Sequence, residues 1–307
     1  MRIKLCGLVA CAAMLVAGLV SCQQEEIPQS LQYPILFGYS DTRATATIAD
    51  LKTNGFKVYA YFEGNAGNGA TFEKKVTYDE DVKVWGYEGL EYWIPGVEYW
   101  FKAFYPSVPS AGTLTVANTD KNQDFTITGF DITKQEDIMV ASATARVEAG
   151  ASAPTNGSVV DLNFQHLLAN VTINVLCELG SGVTVERVEL RNVTTTGNYN
   201  GGWSATTKGS FGFNSNISVN KANNDTDSVD ITNGGILVIP EQINGSQKVY
   251  VNTSFKEYEI EFPTKYSWNS GQKYSYTLVV KQENIEFNEP KVEIWDEENA
   301  TGSVVIK

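Results

Sequence analysis

One stretch in the second half of the 307-residue chain alternates between apolar and polar residues. Only a β-strand places the apolar side chains of such a stretch on one face. The apolar residues that recur at every second position are Val171, Ile173, Val175, Cys177 and Leu179. Successive strand residues point to opposite faces of a sheet, so these five share one face. We predict a strand with one apolar face here, with residues 183–193 as its hairpin partner beyond the turn at residues 180–182.

Shorter runs of the same kind continue along the chain, and the composition around them is typical of an all-β protein. Val, Ile, Thr, Tyr and Phe are abundant, and helical periodicity is absent after about the first twenty residues. Each half contains about seven short apolar runs bounded by turn residues, which predicts two tandem β-sandwiches. Residues 148–158 are rich in Ala, Gly, Ser and Pro, so we place the two domains at residues 33–155 and 156–307.

The N-terminus has the pattern of a bacterial lipoprotein signal. Arg2 and Lys4 precede an apolar run that is too short for an ordinary membrane span. The run ends in Leu-Val-Ser-Cys22, which resembles the lipobox, where a signal peptidase cuts before a cysteine whose thiol accepts the lipid. We therefore expect residues 1–21 to be removed, Cys22 to bind the outer-membrane lipid, and residues 22–32 to form a polar tether.

Charge and side-chain chemistry exclude several classes of function. The formal net charge of -13 disfavours nucleic acid as a partner, because its phosphates repel an acidic surface. Cys6 and Cys11 leave with the signal and Cys22 carries the lipid, so Cys177 has no disulfide partner in the mature chain. His166 is the only histidine: a catalytic triad would have to use it, and no transition-metal site with several His or Cys ligands can be built. We expect no enzymatic activity, no cofactor and no metal, and a structural role for His166.

A short strand followed by a protease-sensitive segment stands at the start of the mature chain, in residues 33–44. The strand side chains that recur at period two are Ile35, Phe37 and Tyr39. Ser, Asp and Thr then precede Arg43, which makes an exposed segment of the kind that proteases cut. A cut between Arg43 and Ala44 would sever the strand from its domain and leave an apolar groove with unpaired backbone, open to another chain's strand.

Three motifs in the second half resemble those of the fimbrillin-like (Mfa-like and FimA-like) lipoproteins of Bacteroidales, which include pilus subunits. The first is Phe-Gln-His-Leu-Leu-Ala-Asn-Val-Thr-Ile at residues 164–173. The second is Trp268-x-x-Gly-x-x-Tyr-x-Tyr-x-Leu278, and the third is Ile-Trp295 near the C-terminus. The lipobox and the early Thr-Arg43-Ala also fit the family.

The resemblance implies two transthyretin-like β-sandwich domains and a lipoprotein that is moved to the cell surface and cut there by an Arg-specific protease. In stalk subunits of the family the first strand then leaves, and a strand of the next subunit takes its place. For this chain the resemblance implies cleavage after Arg43, loss of the strand with Ile35, Phe37 and Tyr39, and a C-terminal donor strand. Candidate donor residues are Val292, Ile294, Val304 and Ile306. The expected function is that of a pilus subunit or pilus-associated adhesin, whose partners are other pilin subunits, the protease, and ligands on host or bacterial surfaces.

Aromatic residues crowd the region of residues 85–100 and suggest a second hypothesis, that of a monomeric surface lipoprotein that binds glycans. Aromatic rings on a protein surface can stack on sugar rings, although the same residues also suit a sandwich core. Trp93 lies beside Pro95 and Gly96 in a predicted turn, so we expect it to be exposed and name it as the possible glycan contact. Oligomers that form after cleavage would favour the pilus subunit, and sugar-dependent quenching of tryptophan fluorescence would favour the glycan-binding protein.

Overall fold

The structure is a computed structural model that describes residues 33–38, 45–62, 70–117, 121–148, 159–224 and 227–295. Regular structure in these stretches is almost entirely β-strand, which confirms the all-β class predicted from the sequence. The described residues contain one α-helix, α1, Thr45–Asn54, and one 3-10 helix, Ile132–Lys134. Neither of these has the length and apolar character that crossing a membrane requires.

Eight of the first ten strands form a six-stranded sheet and a separate pair, and the other two join a sheet of the second half. Their bounds are β1 Leu36–Gly38, β2 Phe56–Phe62, β3 Ala70–Asp79, β4 Val84–Gly86, β5 Glu98–Tyr105, β6 Thr113–Val116, β7 Phe125–Asp131, β8 Met139–Arg146, β9 Val159–Asp161 and β10 Gln165–His166. The sheet has the order β10-β8-β5-β2-β3-β4, β1 pairs with β9, and β6 and β7 join a sheet of the second half. Side chains of the sheet and the pair share one apolar core, in which Phe37 of β1, Val160 of β9 and Phe101 of β5 are buried.

Most strands of the second half form a β-sandwich, and two form a separate pair. Their bounds are β11 Ala169–Cys177, β12 Val183–Tyr199, β13 Trp203–Val219, β14 Val229–Asp230, β15 Ile236–Val238, β16 Glu241–Gln242, β17 Lys248–Thr253, β18 Glu257–Glu261, β19 Ser267–Trp268, β20 Gln272–Val280, β21 Ile285–Phe287 and β22 Lys291–Ile294. One sheet is built on β14-β11-β20-β21, with β15 on β11 and β22 on β20. The other is built on β18-β17-β12-β7-β6, with β13 on β12, and β16 and β19 form the separate pair. Ile173, Leu190 and Tyr276 meet in the core between the sheets and are fully buried.

The predicted hairpin between residues 171–179 and 183–193 was wrong. β11 pairs in parallel with β20, whereas β12 lies in the other sheet and pairs with β13 and β17. Both strands carry a continuous apolar face, and the turn at residues 180–182 carries the chain from one sheet to the other. The two apolar faces therefore contribute to one core from opposite sheets instead of lying side by side in one sheet.

Strand pairing crosses the position at which we divided the sequence into domains. β7, which precedes that position, pairs with β12 of the second half, and β10, which follows it, pairs with β8 of the first half. A third apolar cluster takes side chains from both halves, among them Ile127, Ile138, Leu168 and Ile239. Residues 149–158 lie outside the described residues, and the division at residue 156 stays a prediction.

Helix α1 was missed because its sequence has no marked apolar stripe. Of its residues 49–54, Leu51 alone is fully buried, and Lys52 lies over the Tyr78 ring with its ammonium 4.4 Å from the ring centroid. The helix ends at Gly55, whose N–H donates to the Leu51 carbonyl at 2.8 Å. Gly55 has φ +70°, a left-handed conformation that glycine adopts without steric strain and that commonly ends helices. One buried leucine and a C-terminal cap thus hold α1 on the sheet.

Glu259 of β18 is the centre of an ion-pair network on the outer face of the second half, and this network predicts a dependence of stability on pH. Hydrogen bonds from Lys248 and Arg191 hold the pKa of the Glu259 carboxyl below its ordinary value of 4.5. A depressed pKa stabilises the folded state above the unfolded-state pKa, and the contribution is lost as pH falls through the folded-state value. We expect Glu259→Gln to lose less stability than the parent when pH falls below about 4.5, as measured by urea midpoints. The control is Glu283→Gln, because the Glu283 carboxylate has no ion-pair partner among the described residues. Equal losses of stability in the parent and in Glu259→Gln as pH falls would contradict the prediction.

Candidate functional site

The first described segment, residues 33–38, is an extended strand that begins with an antiparallel ladder; we call it the first strand. The N–H of Ile35 donates to the carbonyl of Glu91 at 2.8 Å. The N–H of Trp93 donates to the carbonyl of Tyr33 at 2.9 Å. These bonds fix the start of the first strand to the connection between β4 and β5.

The second half of the first strand, β1, pairs with a different part of the chain. It runs parallel to β9, with Leu36 opposite Val159 and Phe37 opposite Val160. The carbonyl of Gly38 accepts a hydrogen bond from the N–H of residue 162 at 3.1 Å. Two separate elements therefore hold one short strand, and each supplies only a few hydrogen bonds.

Alternate side chains of the first strand fill the core of the first half, as the period-two pattern predicted. Ile35 is 0% exposed and Phe37 is 1% exposed, whereas Leu36 between them is only partly buried. The Phe37 ring lies 5.5 Å, between centroids, from each of the rings of Tyr87 and Phe101. Burying one such side chain contributes about 1.5–3 kcal/mol. The first strand is therefore held mainly by two side chains in two apolar sockets.

Ile35 and Phe37 of the first strand belong to the same apolar core as side chains of the neighbouring strands. Buried members of the same core, drawn from β2, β5, β9 and the connections around them, are Val58, Ala60, Trp93, Tyr99, Phe101, Val160, Leu162 and Phe164. If the first strand left, the sockets of Ile35 and Phe37 and the backbone partners at β9 would be uncovered together. An exposed apolar groove next to unpaired strand backbone is a template for another strand.

Tyr87 adds a polar tie to the first strand and gives a local prediction. Its hydroxyl donates to the carbonyl of Ile35 at 2.5 Å, and burial raises the pKa of this phenol. Tyr87→Phe removes this hydrogen bond, together with the one that the hydroxyl accepts from the N–H of Glu91 at 3.3 Å, and keeps the ring against Phe37. The free energy of opening the first strand should therefore fall by about 0.5–1.5 kcal/mol. Amide hydrogen exchange at Ile35 measures this opening. Tyr78→Phe on the same sheet, whose hydroxyl has no hydrogen bond among the described residues, should leave the exchange unchanged; equal effects of the two variants would contradict the prediction.

The prediction that Trp93 is exposed was wrong. Its side chain is only 8% exposed, and its ring lies edge-on to Tyr99 with centroids 5.0 Å apart. The backbone hydrogen bond from Trp93 to the first strand determines which face of the strand pair each neighbouring side chain takes. Trp93 therefore points inward, and its neighbours Tyr92 and Ile94 are exposed. The nearby turn residues had suggested exposure, but pairing with the first strand decides the face. Trp93 is a core residue, and its indole N–H is buried without a hydrogen-bond acceptor in the part of the chain that the structure describes.

Two other aromatic residues of this region also pack inward, whereas Tyr92 is exposed and Trp100 is only partly buried. Trp85 is 5% and Tyr99 is 1% exposed, and Trp85 contacts the rings of Phe56 and Tyr78. Core packing therefore accounts for Trp85, Trp93 and Tyr99. The hypothesis of a glycan platform built on Trp93 therefore has no geometric support.

Two of the four candidate donor residues lie on a strand that is already paired within the chain. Val292 stands opposite Tyr274, and Ile294 stands opposite Gln272, in the antiparallel ladder of β22 with β20. Directly opposite residues share a face, so Val292 lies on the same face as the buried Tyr274. Val292 nevertheless remains 39% and Ile294 44% exposed. These two side chains extend the apolar face of the sheet beyond the part that other residues bury.

The remaining predicted site residues cannot be placed. Cys22, Tyr39, Arg43, Ala44, Val304 and Ile306 lie outside the described residues. Their roles in lipidation, cleavage and strand exchange stay predictions from the sequence.

The three sequence motifs of the second half meet at one point, which their spacing did not predict. The N–H of Gly271, from the second motif, donates to the carbonyl of Leu168 at 2.8 Å, and the N–H of Trp295, from the third, donates to the carbonyl of Gly271 at 2.8 Å. The imidazole of His166, from the first motif, stacks on the indole of Trp295 with ring centroids 3.6 Å apart. Nδ1 of His166 lies 2.7 Å from a carboxylate oxygen of Asp137, at ion-pair distance. Nowhere in the described part of the chain are three or more His, Cys, Asp or Glu side chains grouped to hold a metal ion.

Comparison with known proteins assigns the chain to a family. The model of the fimbrillin-like family matches residues 42–295, which is most of the chain. The chain therefore belongs to the fimbrillin-like family. No curated protein matches the chain.

Solved structures share the fold at low sequence identity. A protein of Bacteroides uniformis ATCC 8492, provisionally described as a cell adhesion protein, is 18% identical with a TM-score of 0.54, and the match covers 88% of this chain and 100% of that one. A similarly described protein of Bacteroides ovatus ATCC 8483 is 13% identical with a TM-score of 0.54, covering 87% of this chain and 98% of that one. At these identities the likeness establishes the fold alone.

Proposed function

We propose that this protein is a pilus subunit that is exported as a lipoprotein, cleaved after Arg43 and assembled by β-strand exchange. The observation that carries the proposal is the first strand, whose Ile35 and Phe37 fill two sockets of the core while few backbone bonds hold it. Removing this strand would leave a groove of matching shape. The lipid on Cys22 would keep the precursor on the outer membrane until cleavage, and the subunit would then pass to the pilus.

The elements on either side of Arg43 suit a cut at that position. The first strand ends at Gly38, and α1 begins at Thr45, so the cleavable segment joins an element that would leave to one that would stay. Leu51 is fully buried and Gly55 caps the helix, which would keep α1 in place after the cut. Cleavage would then release the first strand without unfolding the residues that follow it.

The donor segment is best sought beyond Trp295. Val292 and Ile294 already pair with β20, and freeing them would break that ladder. Val304 and Ile306 have the same two-residue spacing as Ile35 and Phe37, so one strand face could fill both sockets. The seven residues from 296 to 302 could span up to about 24 Å when extended, which allows the donor to reach a neighbouring subunit.

Energetics explain why the cut would set the direction of exchange. Two donor side chains would regain about 1.5–3 kcal/mol each in the sockets, which is close to what the leaving strand provided. In the uncut chain the first strand is tethered to its own groove, so its effective concentration there is high. After the cut it can diffuse away, and the donor of the next subunit would replace it.

The test is limited digestion of the unlipidated chain with an Arg-specific protease, followed by N-terminal sequencing and an unboiled denaturing gel. We expect a new N-terminus at Ala44 and a ladder of detergent-resistant oligomers. Arg43→Gln should remain uncut and monomeric. Arg146 on β8 and Arg187 and Arg191 on β12 are internal controls, because their paired backbone should resist cleavage.

Donor variants separate the two candidate pairs of residues. Val304→Asp combined with Ile306→Asp should abolish the ladder after cleavage, because a carboxylate cannot enter an apolar socket without a large desolvation penalty. Val292→Asp combined with Ile294→Asp, at the more exposed positions, should leave the ladder intact. Cleavage at Ala44 that yields only stable monomers would contradict strand exchange.

A further inference from the structure

His166 lies in a charged and aromatic setting that packing alone does not require. Its side chain is buried, with the whole residue only 5% exposed. One face of the imidazole stacks on Trp295 at 3.6 Å between centroids, with an interplanar angle of 7°. Its Nδ1 lies 2.7 Å from Oδ2 of Asp137. An imidazole between a carboxylate and an indole face is favoured in its charged form by both neighbours.

Trp295, on the other side of this stack, directly follows the short strand β22. β22 is only four residues long and pairs with β20 through four residue pairs. Its apolar residues Val292 and Ile294 are only partly covered, with 39% and 44% of their surface exposed. Trp295 directly follows β22 and packs on the apolar cluster that both halves share. The stack on His166 is therefore a principal apolar attachment of the C-terminal strand.

Protons can reach His166 although it is buried. A cavity of about 640 Å³ is bordered by the two stacked rings and by residues of both halves. The titratable groups that face it are Asp50 from α1, Tyr105 from β5, and Glu136 and Asp137 from the segment before β8. Burial, followed by the negative charge of Asp137, raises the pKa of Asp50. The described residues of the wall include three carboxylates and no lysine or arginine, so its potential favours a cation at His166.

We propose that His166 is a pH-dependent latch on the C-terminal strand, which holds β22 more tightly when its imidazole is protonated. The imidazolium attracts both the Asp137 carboxylate and the π face of Trp295. When pH rises and the proton leaves, the neutral ring still stacks, but the attraction of a cation for the indole is lost. Attachment of β22 is therefore strongest below the titration of His166 and weakens as pH rises through it.

The latch goes beyond the proposed function because it is a property of the uncut subunit. It governs how firmly the chain is fixed just before the twelve residues that follow Trp295. Strand exchange between subunits plays no part in the contacts among His166, Asp137 and Trp295. The latch can therefore be tested, and can fail, separately from pilus assembly.

The test uses the full uncut chain in a mild detergent. Because the sequence has a single histidine, one imidazole Cε1–H resonance reports its titration without ambiguity. Amide hydrogen exchange of residues 291–295, expressed as protection factors to remove the intrinsic effect of pH, reports the attachment of β22. We expect protection to fall by about five- to tenfold as pH rises, with the same midpoint as the histidine resonance.

Variants distinguish a latch from a merely structural histidine. Asp137→Asn keeps the shape of the side chain and removes its charge, so it should lower both midpoints together. His166→Gln should abolish the pH dependence of protection. Glu293→Gln, which removes the ion pair with Lys291 on β22 itself, is the matched control and should keep the dependence. The proposal would be overturned if the protection of residues 291–295 stayed constant while the histidine resonance titrated. It would also be overturned if the pH dependence of protection survived in His166→Gln. If His166→Gln does not fold, the comparison of the parent with Asp137→Asn tests the proposal.

Discussion

Trp268→Ala is expected to lower the free energy of unfolding by about 4–5 kcal/mol, a large part of the total stability of a typical domain. Trp268 is 1% exposed, and the Phe262 ring contacts it edge-on at 5.2 Å between centroids. Truncation to alanine removes most of this packing and leaves a cavity between the sheets. The change should appear as a lower midpoint in denaturant unfolding of the chain without residues 1–21.

A hydrogen bond adds to the effect of this substitution. The indole N–H of Trp268 donates to the hydroxyl of Tyr276 at 3.1 Å, and Tyr276 is 0% exposed. Burial raises the pKa of the Tyr276 phenol well above its ordinary range, so the hydroxyl stays protonated. Trp268→Phe keeps an aromatic ring but leaves this hydroxyl without its donor, and should destabilise by about 1–3 kcal/mol. The difference between the two variants measures the packing that the phenyl ring retains. A loss below about 1 kcal/mol for Trp268→Ala would contradict this packing.

Gly235→Ala is expected to destabilise by about 3 kcal/mol, combining backbone strain of about 1–3 kcal/mol with a steric clash. Gly235 has φ +120°, a backbone conformation that residues with a side chain rarely adopt. A Cβ at this position would lie 1.9 Å from Oδ1 of Asn170. Asn170 is 7% exposed and lies at the start of β11, opposite Leu237 of β15, so it cannot move freely. Urea unfolding midpoints of the same chain measure the loss.

The adjacent glycine provides a matched control. Gly234 also has a positive φ, of +99°, but a Cβ there would meet nothing within 4 Å. Gly234→Ala should therefore show strain alone, about 1–2 kcal/mol. Gly235→Ala should also become milder in an Asn170→Ala background, because the clashing atom is gone, and the double-mutant cycle measures that coupling. Equal losses at Gly234 and Gly235 would show that the clash with Asn170 is absent.

Part of the candidate site could be predicted from local pattern. Ile35 and Phe37 recur at period two, and both prove to be buried in the core of the first half. The exposure of Trp93 was predicted from its neighbouring turn residues instead, and this prediction failed because no long alternating run fixes which face its segment presents. The backbone bond with Tyr33 settles that face, and this partner is sixty residues away in the sequence.

The sequence by itself determined the class of fold and the apolar face of each well-patterned strand. Alternation at period two depends only on strand geometry, which is local and the same in every sheet. The motifs at residues 164–173, at Trp268 and at Trp295 likewise indicated the family, because each is a local run of residues, and the match to the family model confirms it.

Only the tertiary structure decided which strands pair and which distant residues meet. Backbone hydrogen bonds are alike in every strand, so alternation does not distinguish β20 from β12 as the partner of β11. The contact of His166 with Asp137 and Trp295 joins three separate elements and leaves no periodic trace in the sequence. The physical reason is the same in both cases: within a long alternating run the side-chain directions follow from local strand geometry, whereas pairing and long-range contact are set by how whole apolar faces cover one another.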